Sequence, residues 1–309
     1  MILRTPAVLW ITSCLALAGA LGGAQEGEDP VALVKEGQKL NRAGQQDEAL
    51  ALYERALKID PKNFDAHLAS GVALDLKGDY ARARMHLQRA IDVAPEEARP
   101  QALGAMAVSH AFEKNAAEAA RYYQQQFDLL MKAQRLDNAA ATANAMARAY
   151  LESGDPTNAE RWYRTGYETA QKLTGLPPDQ VDLWALRWHH AQSRIAARRG
   201  NAAEAARHAA EVKAIVDKGG LNAQQEPAYQ YLVGYNALYA GQYDTAIAEL
   251  LKADQTDPFI LGLLAQACEK KGDTVKAKEY YGRALQSNSH NLQSAFTRPL
   301  ARQKLAQLR

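Results

Sequence analysis

The chain has 309 residues, of which 47% are hydrophobic and 23% are charged, and this composition excludes a mainly disordered protein. Its 37 Lys and Arg nearly balance 35 Asp and Glu, so the net charge of +2 gives no overall attraction to nucleic acid or an anionic membrane. Alanine is abundant and runs of Val, Ile or Thr are few. The composition therefore predicts a mostly helical protein without a nucleic-acid partner.

The first 24 residues have the pattern of a secretory signal peptide. Arg4 is followed by an apolar run over residues 6–21 and then by the small residues 22–24. The run is shorter than the roughly 20 residues that a membrane-spanning helix needs. We therefore predict a signal peptide at residues 1–24, cleavage near Ala24, and a periplasmic or secreted chain that begins near Gln25.

A second interpretation keeps the chain on a membrane. Residues 11–14 resemble the lipobox of bacterial lipoproteins, in which a cysteine at the position of Cys14 is acylated. Hydrophobicity continues past Cys14 where a lipoprotein has a polar tether, and this favours cleavage near Ala24 over acylation or an uncleaved anchor. The other cysteine is Cys268, so the exported chain cannot form an internal disulfide.

A pattern of small and large residues recurs along the chain. The first copy comprises Gly37, Leu40, Ala49, Tyr53, Ala56 and Pro61. The same size classes return 34 residues later at Gly71, Leu74, Ala83, Leu87, Ala90 and Pro95. Further copies lie at Gly234, Ala237, Ala246, Leu250, Ala253 and Pro258, and at Ala265, Cys268, Ala277, Tyr281 and Ala284. Such repetition predicts a two-helix unit that buries its apolar side by stacking on copies of itself.

Three less regular units fill the middle of the chain, around Ala107, Ala147 and Ser193. Between the two halves of several units, a glycine is followed by Asp or Asn, as in Gly78-Asp79 and Gly154-Asp155. Glycine allows a helix to end in a left-handed conformation, and Asp or Asn caps the next helix. The sequence thus predicts about seven helix-turn-helix units.

This arrangement resembles the tetratricopeptide repeat family, and in particular its exported bacterial members. The resemblance implies an all-α, right-handed α-solenoid over residues 25–290. A polar amphipathic helix at residues 291–309, interrupted or started near Pro299, is expected to cap the last repeat. The family also implies a protein or peptide partner on the concave face, which the first helix of each hairpin lines.

Motifs for catalysis are absent from the sequence. Neither a GxSxG nucleophile motif nor a GxxxxGK[ST] phosphate loop occurs. The one histidine cluster, His189-His190, places adjacent rings about 100° apart on a helix, and this does not make a chelate. Cys268 occupies a packing position of the last repeat. We therefore predict no catalytic residue, no metal site, no cofactor and no enzymatic activity.

The concave face carries a basic and aromatic strip in the centre and C-terminal half of the array. Residues three before and one after the small packing residue share one helical face. In the first three repeats these positions are uncharged. In the later repeats the strip comprises Asn144, Arg148, Arg187, His190, Arg194, Tyr231 and Tyr235. Arg forms forked hydrogen bonds with carboxylates, so the strip suits an extended peptide with acidic groups. The alternative is that the Arg residues form a solvated face and the Tyr residues pack between repeats.

Two functional hypotheses follow. The first is a non-enzymatic, exported scaffold that holds a protein or peptide partner in its groove. The second is a membrane-tethered accessory subunit of an envelope assembly, with membrane contact only if the N-terminus is retained or Cys14 is acylated. Under the first hypothesis, charge reversal at Arg148 and Arg194 is expected to weaken partner capture without unfolding the array.

Overall fold

The computed structural model describes residues 27–222, 225 and 227–308, so the predicted signal peptide and Cys14 lie outside the described residues. Within these ranges the regular structure is entirely helical. No helix there is both long and apolar enough to span a bilayer. The helices are α1 (Pro30–Arg42), α2 (Gln46–Ile59), α3 (Phe64–Lys77), α4 (Tyr80–Val93), α5 (Arg99–Phe112), α6 (Ala116–Lys132), α7 (Leu136–Glu152), α8 (Pro156–Ala170), α9 (Pro178–Arg198), α10 (Ala202–Asp217), α11 (Ala228–Tyr239), α12 (Tyr243–Leu250), α13 (Pro258–Lys271), α14 (Thr274–Ala284) and α15 (Leu292–Gln307).

Consecutive helices pair into seven hairpins, from α1–α2 to α13–α14, and α15 follows the last one. The second helix of each hairpin packs against the first helix of the next hairpin. The prediction of an all-α solenoid with about seven helix-turn-helix units is thus confirmed.

Glycines in the first helices allow the two helices of a hairpin to approach closely. A Cβ atom on Gly71 would lie 2.5 Å from Leu87 Cγ, and one on Gly234 would lie 2.6 Å from Leu250 Cγ. These distances are too short for two carbon atoms, so the large residue of each unit fills the space that the small residue leaves.

The turns between paired helices follow the predicted chemistry in several repeats. Gly78 ends α3 with φ of 97°, and the Asp79 side chain accepts a hydrogen bond from the Arg82 backbone N–H at the start of α4. One of these turns departs from the pattern, because Lys114, between α5 and α6, adopts a left-handed conformation with φ of 56°. Gln134, in the connection from α6 to the next hairpin, does the same with φ of 55°. A side chain in this conformation costs energy that glycine avoids.

The last helix makes contacts well beyond the last repeat. α15 packs on α13 and α14, as a cap would, and also on α5 and α7. It contains Pro299 in its interior and begins before it, at Leu292. The loop before α15 reaches the first hairpin, where Gln46 Nε2 donates a hydrogen bond to Asn288 Oδ1 at 3.1 Å. Thus the end of the array returns to its beginning, and α15 covers part of the concave face.

Candidate binding groove

The concave face remains open along α5, α7, α9 and the start of α11. Two adjoining cavities lie there, with volumes of about 610 and 530 Å³. We call the pair the open groove and the larger one the arginine cavity. The two cavities share the lining residues Val108, Tyr123, Ala141 and Ala145. The smaller cavity extends towards the start of α5, and the start of α15 closes one side of the arginine cavity.

Six residues of the predicted basic and aromatic strip line the arginine cavity. They are Asn144, Arg148, Arg187, His190, Arg194 and Tyr231. The seventh, Tyr235, is fully buried and does not line it. Its ring packs 4.7 Å from that of Tyr239, and its hydroxyl lies 3.5 Å from Glu152 Oε1. Tyr235 therefore packs between repeats, which is the alternative interpretation given above for the Tyr residues.

Arg194 is buried and has partners within the protein. Its Nη2 donates a hydrogen bond to the Tyr163 hydroxyl at 2.6 Å, and its Nη1 lies 3.7 Å from Glu152 Oε1. Glu152 also pairs with Arg198 at 3.1 Å. Reversing the charge of Arg194 would bury a second carboxylate beside Glu152, so the structure leads us to expect that an Arg194 charge-reversal variant is destabilised.

Arg148 differs from Arg194, because no acidic residue of the described chain lies within ion-pair distance of it. Its guanidinium carbon stands 4.7 Å from the centre of the Phe259 ring. Its Nε atom is buried and has no hydrogen-bond partner among the described residues. Asp257, which caps α13, interacts electrostatically with Arg148 without forming an ion pair. Burial raises the pKa of Asp257. Arg148 can therefore donate hydrogen bonds to a bound anion.

His190 and Tyr231 form a stacked pair on the wall of the cavity, with ring centres 5.1 Å apart. Burial, followed by the charges of Arg194 and Arg148, holds the pKa of His190 well below its ordinary value, so the ring is neutral at pH 7. Burial raises the pKa of Tyr231 to about 12, and its hydroxyl has no hydrogen-bond partner among the described residues. The pair thus offers a neutral ring and an unused hydroxyl donor.

The remaining two residues lie at the edges of the cavity. Arg187 is exposed and stands 4.5 Å from the centre of the Trp184 ring, and no ion pair holds it within the described chain. Asn144 is half-buried and its Oδ1 lies 2.5 Å from where a Cβ atom on Gly166 would be. Gly166 therefore makes room for the Asn144 amide.

Two histidine pairs were missed by the sequence analysis. His67 Nδ1 lies 3.2 Å from His86 Nδ1, and His189 Nδ1 lies 2.9 Å from His208 Nδ1. Both pairs join equivalent positions of the two helices of one hairpin, 19 residues apart. The interval of 19 residues could have predicted both pairs. Spacing within a single helix, such as i to i+4, cannot detect a pair that joins two helices. His189 therefore pairs across its hairpin and does not form a cluster with His190.

Two segments of the chain match known repeat families. Residues 37–75 match a family described as a TPR repeat, and residues 260–291 match one described as a tetratricopeptide repeat. No curated protein matches the sequence. Together with the stacked hairpins, these matches confirm that the chain contains tetratricopeptide repeats, a fold that generally mediates protein–protein interaction and is typically a non-enzymatic scaffold.

Two solved structures with such repeats resemble the chain in fold at low sequence identity. A tetratricopeptide repeat protein from Parabacteroides merdae ATCC 43184 superposes with a TM-score of 0.55 and 12% identity, covering 90% of this chain and 98% of that one. A Podosopora anserina structure with TPR-like repeats gives 0.51 and 20%, covering 62% of this chain and 98% of that one. Pseudomonas aeruginosa pilF gives 0.47 and 15%, covering 82% and 96%. At these identities the likeness concerns the fold alone.

Proposed function

We propose that the protein is a non-enzymatic scaffold that binds a segment of a partner protein in the open groove. The observation that carries this proposal is the pair of arginines, Arg148 and Arg187, that line the groove without an ion pair in the described chain. Arginine recognises carboxylates through two parallel hydrogen bonds, so acidic groups on the partner would be selected.

The packing of each hairpin on its neighbours supports this function. A preformed groove presents its contacts at once and leaves most of the ordering cost to the partner. The open groove runs along the first helices α5, α7 and α9 to the start of α11, and this gives an extended segment several successive contacts.

We also propose that the protein acts outside the cytoplasm, in the periplasm or after secretion. The signal-like pattern of residues 1–24 supports export. Mass spectrometry of the mature N-terminus tests this proposal. A chain that begins at Gln25 or a neighbouring residue is the expected result, whereas a lipid-modified Cys14 would favour the membrane-tethered alternative.

Photo-crosslinking tests the groove as the partner surface. A photo-reactive residue replaces Ala141, which is exposed and borders both cavities. The matched control carries the same group at Val275, which is 78% exposed on α14. We expect one protein to be captured from envelope extract by the Ala141 probe alone, and Arg148→Glu to reduce that capture. Equal capture by both probes, or capture unaffected by Arg148→Glu, would contradict the proposal.

A further inference from the structure

The arginine cavity is lined by both apolar and polar side chains. Val108, Leu186, Ile260 and Leu292 contribute apolar walls, and the arginines and Tyr231 contribute the polar surface. Its volume of about 610 Å³ falls within the range of small-molecule sites, which are mostly apolar with a few placed polar groups. The cavity can therefore hold a ligand with one polar group and an apolar body.

Three buried polar atoms at this site lack a hydrogen-bond partner in the described chain. They are Arg148 Nε, Arg194 Nε and the Tyr231 hydroxyl oxygen. Arg194 is 5% exposed and Tyr231 is 9% exposed, and all three atoms are closed to solvent in the free chain. An unpaired buried donor destabilises the folded chain, and a bound acceptor would recover part of this cost. All three can donate a hydrogen bond, so the expected partner is an acceptor.

The electrostatics of the cavity favour an anion. Arg148, Arg187 and Arg194 line it, while Asp257 is the one carboxylate among the described lining residues. Glu152 neutralises part of the charge of Arg194. The helices α11, α13 and α15 all begin at the cavity, and helix N-termini carry partial positive charge. Positive charge is thus in excess where the unpaired donors lie.

We propose that the arginine cavity binds a small organic acid. Its carboxylate accepts hydrogen bonds from the Arg148 guanidinium and, after a small movement of the Tyr231 side chain, from the Tyr231 hydroxyl, which is closed to solvent in the free chain. Its apolar body lies against Ile260 and Leu292. This goes beyond the proposed function, because the ligand is a free molecule rather than a protein. A carboxylate on a partner's side chain has the same chemistry, and the experiment has separate arms for the two sources.

Calorimetric titration of the purified chain tests the proposal. One arm uses straight-chain carboxylates from propanoate to decanoate, each compared with its neutral amide, and the other uses a glutamate tripeptide with both ends blocked. We expect one carboxylate per chain to bind at least about tenfold more tightly than its amide, a difference of about 1.4 kcal/mol. Failure of every free acid to bind at concentrations up to about 10 mM overturns the proposal, including when the tripeptide binds.

Variants separate the ligand role of these residues from a structural one. Arg148→Gln is expected to abolish acid binding, and Arg148→Lys is expected to retain only part of it, because lysine keeps the charge but loses the planar fork. Arg89→Gln is the control, since Arg89 has a side chain that is 71% exposed on α4. Acid binding that persists unchanged in Arg148→Gln contradicts the assignment.

Tyr231→Phe gives a second readout that a merely structural hydroxyl would not produce. Because the hydroxyl has no partner, its removal should leave the melting temperature of the free chain unchanged or higher, while acid affinity falls. A lower melting temperature with unchanged affinity contradicts the proposal. Capture by the Ala141 probe is measured separately, so loss of acid binding and loss of partner binding are distinguishable.

Discussion

Gly71 lies against Leu87 and the backbone carbonyl of Ala83, so a methyl group there has no room. We expect Gly71→Ala to lower the free energy of unfolding by about 1–3 kcal/mol, because the two helices of the hairpin must separate or Leu87 must leave its preferred rotamer. Denaturant unfolding measures the change.

Gly282 provides the matched control, because it lies within α14 and a Cβ atom there would meet nothing within 4 Å. Gly282→Ala is expected to raise the free energy of unfolding by about 0.5–1 kcal/mol, since alanine favours the helix. If Gly71→Ala were as harmless as Gly282→Ala, the small residue would not be setting the helix separation.

The histidine pairs predict a pH dependence of stability. Burial lowers the pKa of His86, His189 and His208, and a neighbouring histidine lowers that of His86 and His208 further. The unfolded chain binds protons near the ordinary histidine pKa of about 6.5, whereas the folded chain binds them only at lower pH. The contribution of these neutral histidines to stability is therefore fully present above about pH 6.5. It is lost as the pH falls through their lowered pKa values.

Urea unfolding at about pH 7.5 and about pH 5.5 measures this decline, and the variant His208→Gln is the comparison. We expect the variant to lose less stability than the native chain over this interval, because one titrating ring with a lowered pKa has been removed. An identical loss in both proteins would assign the pH dependence to other groups.

The residues of the candidate site were predictable by position but not by environment. Helical spacing was enough to place Arg148, His190 and Arg194 on the concave face, because the repeat register fixes which side of a helix faces inward. It could not distinguish the paired Arg194 from the unpaired Arg148, because the partner of Arg194 is Glu152, on a different hairpin. Contacts between hairpins depend on the curvature of the array, which spacing along one helix does not encode.

At the scale of elements, the turn between α5 and α6 contains a residue type that is disfavoured in the left-handed conformation it adopts there. Lys114 has φ of 56° where other turns have glycine, and Asn115 caps the next helix in the usual way. We expect Lys114→Gly to raise the free energy of unfolding by about 1 kcal/mol, because glycine adopts the left-handed conformation without a steric penalty. Lys114→Ala is the control, since it removes the same charge and keeps the penalty. Equal stability of the two variants would contradict this explanation.

The helix α15 was predictable as an element, whereas its location was not. Its polar amphipathic sequence is sufficient to predict a helix near residues 291–309, and the repeat pattern makes capping of the last hairpin the natural expectation. Its contacts with α5 and α7 depend on residues far away in the sequence. Asp75 on α3, for example, accepts hydrogen bonds from His290, just before α15, and from Ser109 on α5, both at 2.8 Å. Asp75 thus links the start of α15 to α5. No local pattern reports such a contact.

For the whole molecule, these contacts change how a solenoid is expected to unfold. In an open array each repeat contacts only its neighbours, so the two ends can unfold separately. Here Arg298 donates hydrogen bonds to the carbonyl oxygens of Leu285 and Ser287 after α14 and of Leu76 on α3. One buried guanidinium thus joins the last hairpin to the second, and the two ends are expected to unfold together.

Arg298→Met tests this coupling, because it leaves the carbonyl oxygens of Leu285 and Ser287 without this donor and takes from Leu76 one of its two donors, the other being Arg302 Nη2 at 2.6 Å. We expect a loss of about 2–4 kcal/mol in the free energy of unfolding. Amide hydrogen exchange should become faster in α3 and in α14 and α15 together, although these helices are some 200 residues apart in the chain. Arg89→Met on the exposed face of α4 is the control and should change neither. Faster exchange confined to α14 and α15 would mean that the second hairpin is stable without the Arg298 contacts, and would contradict the expected coupling.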